Sequence, residues 1–283
     1  MLFVLLTIFS SLTIALILKF NETRSGNRLA LAGANYVVAS LLGFGMGDFD
    51  SLITLQWVAF AALLGGGFVA GFLLLMKSIR ATGLAITGSV ARTATIGPVL
   101  LSIIFYSEHP NLLQIIGIAC GVSAFLLLGL SQRQQSFVES SQISKVLLLT
   151  LLFLVMTFND FGMKIAEVNK VDISRLFFVL FGTAGMICWS LIGVRRMKKK
   201  DWQQITRRDL LLGGVLGIPN YFSSWFLIRA LQDVPASIVF PTVSAGGVIA
   251  VTLAAVLLWH EELSRPAWIG IGLAAIAVAL LGM

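Results

Sequence analysis

Apolar residues run along this chain in long stretches that are broken by short clusters of charge and turn residues. Ten such stretches can be drawn, at about 2–18, 29–46, 54–76, 83–106, 111–130, 145–163, 175–194, 209–229, 235–258 and 264–282. Each approaches the ~20 residues that a helix needs to cross a bilayer, so the pattern predicts ten transmembrane helices and no strands. The connections are short, apart from the polar run Ser131 to Ser144 and the basic run Arg195 to Arg208. The first stretch has no basic region before it and no small-residue cleavage site after it, so it is expected to be retained as a span.

The second half of the pattern repeats the first. Ile79-Arg80-Ala81 recurs as Ile228-Arg229-Ala230. Glu108, Ile116-Gly117-Ile118 and Leu128-Gly129 recur at one constant interval as Glu261, Ile269-Gly270-Ile271 and Leu281-Gly282. Residues 1–130 and 145–283 thus read as two five-helix repeats joined by a linker over 131–144. An odd number of helices per repeat forces the copies into opposite membrane orientations, which is the plan of many secondary transporters. Loop charge fits this: the loop after the second span carries Asp48 and Asp50, whereas its counterpart carries Arg195, Arg196, Lys198, Lys199, Lys200, Arg207 and Arg208.

Composition narrows the class. The chain has 283 residues, 58% of them hydrophobic and 12% charged, and its net charge is +7. Ordinary soluble domains are about one-quarter charged, so no soluble domain is expected, and the basic balance does not point to nucleic acid. Cys120 and Cys188 lie inside apolar stretches without metal-like spacing and read as small buried hydrophobes. Glycines gather at Gly65-Gly66-Gly67, Gly71, Gly213-Gly214, Gly217 and Gly246-Gly247, where they let helix backbones approach closely in lipid. Pro98, Pro219 and Pro241 fall within predicted helices, where each frees a carbonyl and permits a bend.

These features resemble the drug/metabolite transporter superfamily, in its ten-helix EamA-type branch. The likeness rests on Tyr106-Ser107-Glu108 with Ile116-Gly117-Ile118, on Trp259-His260-Glu261 with Trp268-Ile269-Gly270-Ile271, and on the paired Ile-Arg-Ala motifs. The glycine usual just before each Glu is absent here. The resemblance covers the whole chain and implies a substrate cavity between the halves, alternating access and a multi-pass protein of the cell inner membrane. It names no substrate.

Candidate chemistry lies in the few polar residues within spans. Arg92 stands inside the fourth predicted span, at an insertion cost of at least ~2.5–3.5 kcal/mol, so it should face a cavity or a partner. It reads as an anchor for a carboxylate or phosphate, or else as a clamp between helices. Ser89 shares its face, Thr93 adjoins it to make a small polar patch, and its repeat counterpart is Ala245. Asn159 and Asp160 come next: Asp160 either takes a proton during transport or pairs with Lys164 one turn on. Counted from one membrane face, Arg92 and Asp160 differ in depth by roughly 10 Å. In the eighth span, Asn220, Tyr221 and Ser224, with Trp225 beside them, offer donors and a ring to a small organic ligand. Asn35, Tyr36, Thr242 and Ser244 are weaker candidates. Glu108, Glu261 and Glu262 belong at the surface, pairing with loop bases or capping the next helix.

The chain therefore reads as a secondary transporter, an exporter or exchanger of a small polar or amphipathic metabolite, with protons or a counter-solute as co-substrate. It is expected to need no cofactor and to work as a monomer or homodimer. The alternatives are a flippase for an amphipathic or lipid-linked compound and, less favoured, a membrane enzyme. The only histidines, His109 and His260, lie in loops, and no Walker-type phosphate loop is present. The first span has no acid, which disfavours the small-multidrug mechanism of cation export. On orientation two readings stand: loop charge puts both termini outside the cytoplasm, and the resemblance puts them inside.

Overall fold

The computed structural model describes residues 1–22, 26–47, 54–131, 142–197, 204–259 and 265–283; within helices it leaves the side chains of 19, 21, 22, 80, 83–86, 89, 125, 128–131, 142, 143, 255 and 259 undescribed. Asp48, Asp50, Lys198, Lys199, Lys200, Glu261 and Glu262, and the side chain of Ser89, lie outside the described residues. The described chain is all helical, in ten helices: α1 Leu2–Glu22, α2 Arg28–Gly45, α3 Leu55–Thr93, α4 Ile96–Tyr106, α5 Leu112–Ser131, α6 Gln142–Val168, α7 Ile173–Met197, α8 Arg207–Asp233, α9 Ala236–Trp259 and α10 Arg265–Leu281. Six segments are long and apolar enough to cross a membrane: Arg28–Gly45, Leu55–Ile79, Ser144–Val168, Ile173–Met197, Arg207–Asp233 and Ala236–Leu258. Shorter apolar helical stretches occur at Leu2–Leu18, Val90–Tyr106, Leu112–Ala124 and Arg265–Leu281.

The third and fourth predicted spans lie on one run of helical backbone, Leu55–Thr93 and its continuation. The chain turns back within it, as those spans require: Leu64, Gly67 and Gly71 meet Gly162, Asn159 and Val155 of α6 in descending order, whereas Ala94, Tyr106 and Glu108 meet Thr157, Phe161 and Lys164 in ascending order. A break comes at Ala94-Thr95, just ahead of Pro98, whose ring cannot donate to the carbonyl four residues back. Arg92 occupies the last turn of α3, inside the apolar stretch Val90–Tyr106.

The helices of the two halves pack chiefly on each other. α1 lies against α8 and α9, and α6 lies against α3 and α4; α2 packs on α7 and α8, α3 on α7, and α5 on α10. Close approach depends on glycine at matching places. A side chain on Gly65 of α3 would meet the Leu180 carbonyl of α7, and one on Gly213 of α8 would meet the Leu31 carbonyl of α2. The α5–α10 seam is lined by Gly117, Gly121, Ala124, Ala274 and Ala277. Because lipid tails are as apolar as leucine, tight backbone contact of this kind supplies the association energy. The main core gathers Tyr36, Phe177, Phe181, Leu64 and Tyr221, with Tyr36 stacked on Phe181 at 6.1 Å.

Gly65→Ala should lower the melting temperature of the detergent-purified protein, at an overpacking cost of about 1–3 kcal/mol, because the new methyl meets backbone rather than a yielding side chain. Gly66→Ala, which faces open space, should be neutral or stabilising by up to ~1 kcal/mol. Equal melting temperatures for the two variants would remove close packing as the reason for the glycine cluster.

Candidate functional site

The site is built around the α3–α4 break. Pro98 has no N–H, so the Ala94 carbonyl loses its regular helical partner. That oxygen accepts instead from the Thr157 hydroxyl of α6 at 3.2 Å and from the Gly97 amide at 3.0 Å. Gly97 makes the approach possible, since a side chain there would collide with Thr157. On the other side of the break, Thr95 donates through its hydroxyl to the Arg92 carbonyl at 2.9 Å. Both residues at the kink are therefore tied by hydroxyls, one local and one from the neighbouring helix.

This tie sets the register of the charged residues. Ala94 is level with Thr157; Arg92 precedes Ala94 by two residues and Asp160 follows Thr157 by three. The two helices run the same way here, so five residues at 1.5 Å separate Arg92 and Asp160 by about 7.5 Å along the bundle. Arg92 is exposed and Asp160 half-buried. Among the described residues neither makes an ion pair or a side-chain hydrogen bond. The expected alternative partner of Asp160 is engaged elsewhere: Lys164 binds Glu167 at 2.9 Å and Glu108 at 3.5 Å. The Arg92 guanidinium lies beside α9, where a side chain on Gly247 would come within 3.7 Å of Nη1.

The other predicted residues fall into separate groups. Thr93, next to Arg92, has a buried hydroxyl without a hydrogen-bond partner. Asn159 is buried in a notch formed by Gly67 and Gly71 of α3, and its Oδ1 likewise lacks a hydrogen bond. Tyr221 is fully buried, edge-on to Phe177 at 5.7 Å, with its hydroxyl 3.5 Å from that of Ser174. Asn220 and Ser224 are half-buried on α8. Trp225 meets Phe3 of α1 edge-on at 6.1 Å and carries Arg229 over its ring at 4.9 Å. Of the weaker candidates, Asn35 and Thr242 are buried with an unsatisfied oxygen, Tyr36 packs, and Ser244 is buried. A small crevice beside the kink is lined by Thr95, Ile96, Val99, Ile118, Gly121, Val122 and Pro241.

Two functional contacts escaped the sequence reading. Thr157 resembles any hydroxyl in an apolar helix, although the carbonyl orphaned by Pro98 could have been counted back from the sequence. The Ser11–Ser223 hydrogen bond between α1 and α8, at 3.1 Å, left no signal. Glu108 caps a helix, but not the next one. Its carboxylate accepts from the Ala236 and Ser237 amides at 2.9 and 2.8 Å, at the start of α9 in the opposite half. The positive end of that helix suits an anion. Burial works to raise the Glu108 pKa, but the Ser237 and Ala236 amides, the Ser237 hydroxyl and Lys164 outweigh it and hold the carboxyl below its usual range.

The sequence model of the EamA-like transporter family matches residues 143–283. A stretch of 116 residues is 32% identical to a protein of Escherichia coli O45:K1 named "Probable 4-amino-4-deoxy-L-arabinose-phosphoundecaprenol flippase subunit ArnE", and it covers 39% of this chain and 95% of that one. The chain belongs to the drug/metabolite transporter superfamily. It is a multi-pass membrane transporter of EamA-like type. An ArnE protein of Klebsiella pneumoniae (strain 342) is 40% identical over 55 residues, or 19% of this chain, and the match spans about half, 48%, of that protein's length. A crystal structure only 14% identical superposes with a TM-score of 0.79 over 99% of this chain and 98% of the other, which speaks for the fold alone.

Two outcomes follow from the contacts above. Thr157→Val should cost about 0.5–1.5 kcal/mol of stability by removing the donor to the Ala94 carbonyl, with Thr157→Ser costing less. For Glu108 the folded-state pKa is depressed, so its stabilisation is present at neutral pH and is lost as pH falls through that depressed value. Melting temperatures of wild type and Glu108→Gln should converge on acidification below the ordinary carboxylate range. A constant gap between them at all pH values would show that the carboxylate charge contributes nothing at this cap.

Proposed function

We propose that this protein is a secondary transporter that moves a small polar or amphipathic metabolite by alternating access, with Arg92 as the anchor for the solute's anionic end. The observation that carries the reading is the pair of charges Arg92 and Asp160, flanking a helix break and without an ion pair among the described residues. Intramembrane charges are expensive and are retained where they face a cavity or pathway, and broken helices are where transporters place their sites. Thr93 and Asn159, each with an unsatisfied oxygen, extend the polar lining, with Ser89, Asn220, Ser224 and Trp225 as further members. Tyr221 contributes from beneath, by holding α8 against Phe177.

The architecture in this proposal is ten transmembrane helices in two inverted repeats, 1–130 and 145–283, joined by 131–144. Three findings support it. The cross-half packing interchanges when each helix is replaced by its repeat counterpart: α1 on α8 and α9 becomes α6 on α3 and α4. The contacts of Gly65 with Leu180 and of Gly213 with Leu31 are related in the same way. The family model falls on the second proposed repeat. Gly247, against which Arg92 lies, is two residues from Ala245, the repeat counterpart of Arg92, so this single base sits close to the axis relating the halves. The inner membrane is the expected location, and the chain is read as a monomer or homodimer that exchanges its solute for protons or a counter-solute.

A second reading, flipping of an amphipathic or lipid-linked compound, is favoured by the ArnE relatives, whose name specifies a phosphoundecaprenol-linked amino sugar. Counterflow in proteoliposomes against amino acids, nucleosides, sugars and quaternary amines, set beside reorientation of a fluorescent undecaprenyl phosphate, separates the two. Whichever solute moves, Arg92→Ala should slow its transport roughly tenfold or more, the scale of losing a charged hydrogen-bonded contact, while insertion and melting behaviour persist. A stable Arg92→Ala protein with unchanged kinetics would end the anchor role.

A further inference from the structure

We infer that Glu108 is a gating residue: its hold on the first turn of α9 closes the seam between α4 and α9 at one face of the bundle, and release of that turn opens the seam toward Arg92. This deepens the transporter reading and rests on it. The two helices come from opposite halves of the chain, and the contacts along their seam fall at three levels. At the face, the Glu108 carboxylate, just beyond the end of α4, accepts from the Ala236 and Ser237 amides at 2.9 and 2.8 Å. About one turn along α9, Pro241 lines a crevice with Thr95, Ile96 and Val99 from the α4 side. Further along α9 again, Arg92 at the end of α3 lies beside Gly247. A solute that reaches Arg92 along this seam from the Glu108 face has to pass the latch first.

The latch divides into a fixed part and a part that can leave. Lys164 of α6 lies 3.5 Å from Glu108 and 2.9 Å from Glu167, and stands 5.9 Å over the Tyr106 ring. None of these contacts involves α9, so the carboxylate keeps a charged partner when the amides depart and is not stranded. On the α9 side only two amides lose their acceptor, because those of Ile238 and Val239 bond to the Pro235 carbonyl within their own turn. Water at the face can take the place of the carboxylate there. Pro241 carries no N–H and gives the first turn a point at which to bend. The approach of Glu108 is itself strained. Ser107 leaves α4 in the left-handed region, at φ 52° and ψ 38°, a conformation that glycine takes freely and serine takes at a cost. Strain of this kind persists where surrounding contacts over-determine it, and here it brings the next residue onto α9. A cap that served only to fasten the halves would need neither the hinge nor the reserve partner.

The test reads the seam without any solute. Purified full-length protein carries Val99→Cys as a reporter, together with Cys120→Ala and Cys188→Ala. Val99 is 2% exposed, so a thiol at position 99 should react slowly with N-ethylmaleimide, as followed by mass spectrometry. Glu108→Gln should speed that reaction roughly fivefold or more, because a neutral amide replaces a charged acceptor. A second arm closes the latch by other means. Glu108→Cys with Ser237→Cys, bridged by cadmium, should slow the reaction at position 99 below that of the reporter with Glu108 intact, and a chelator should reverse the effect. Cadmium added to the reporter alone supplies the baseline. Clamping a contact that never opens leaves the rate unchanged, so the bridge separates a gate from a fixed cap. An unchanged rate in Glu108→Gln, or on bridging with cadmium, overturns the gate; if Glu108→Gln does not fold, the cadmium arm decides alone. Arg92 enters neither arm, so loss of the gate leaves the anchor standing, and unchanged transport by Arg92→Ala ends the anchor whatever the thiol rates show.

Discussion

Lipid offers no hydrogen bonds, so a helix that interrupts its own ladder must find a partner for every freed carbonyl within the protein. Pro98 creates one such carbonyl, at Ala94, and Thr157 answers it from the neighbouring helix. That bond does more than satisfy an oxygen. It joins the α3–α4 kink to α6 at one register, and with it the spacing of Arg92 from Asp160. Glycine at position 97 is part of the same arrangement, because any side chain there would push Thr157 away. The candidate site is in this sense a consequence of a single proline.

The same scarcity of hydrogen bonds explains why the halves are interleaved. Leucine against leucine gains little over leucine against lipid, so helices associate where backbones can touch. Gly65 and Gly213 bring α3 onto α7 and α8 onto α2, and the alanine-lined seam does the same for α5 and α10. At the membrane surface, where charge is tolerated, Glu108 crosses between halves to the first amides of α9. Buried Asp209 works in a comparable way at the other end: it closes a capping box with Thr206 and also accepts from the Asn27 amide at the start of α2.

The helices were legible because hydrophobic length is a strong signal, and the class followed from it. The kink at Ala94-Thr95 was not, since Pro98 interrupts hydrogen bonds without interrupting hydropathy. The glycine clusters announced close packing but not which helix each would meet. Arg92 and Asp160 stood out as charges within spans, and their depth difference could be approximated from residue counts. What the sequence withheld was relational: that Lys164 turns to Glu108 and Glu167 rather than to Asp160, that Thr157 reaches Ala94, and that Asn159 fills a notch in α3. Those are long-range pairings between short polar groups, and no periodicity encodes them.

One helix links the surface latch to the interior charge. The first amides of α9 bind Glu108, and Gly247, eleven residues from Ala236, lies beside Arg92, a separation of about 16 Å along the helix. Pro241 stands between them and removes the regular partner of the Ser237 carbonyl, so the latch end of α9 has a point at which to bend. Under the proposed alternating access this division matters. Opening on the Glu108 side requires only that residues 236–240 leave the carboxylate and swing about Pro241, while the contact at Gly247 stays intact. Opening there costs a charged cap, strong enough to hold one state and lying outside the apolar core, where water can replace it. A helix pinned by charge at its surface end, hinged one turn in and packed on glycine at the site, can open one side of the bundle without first dismantling the solute's anchor.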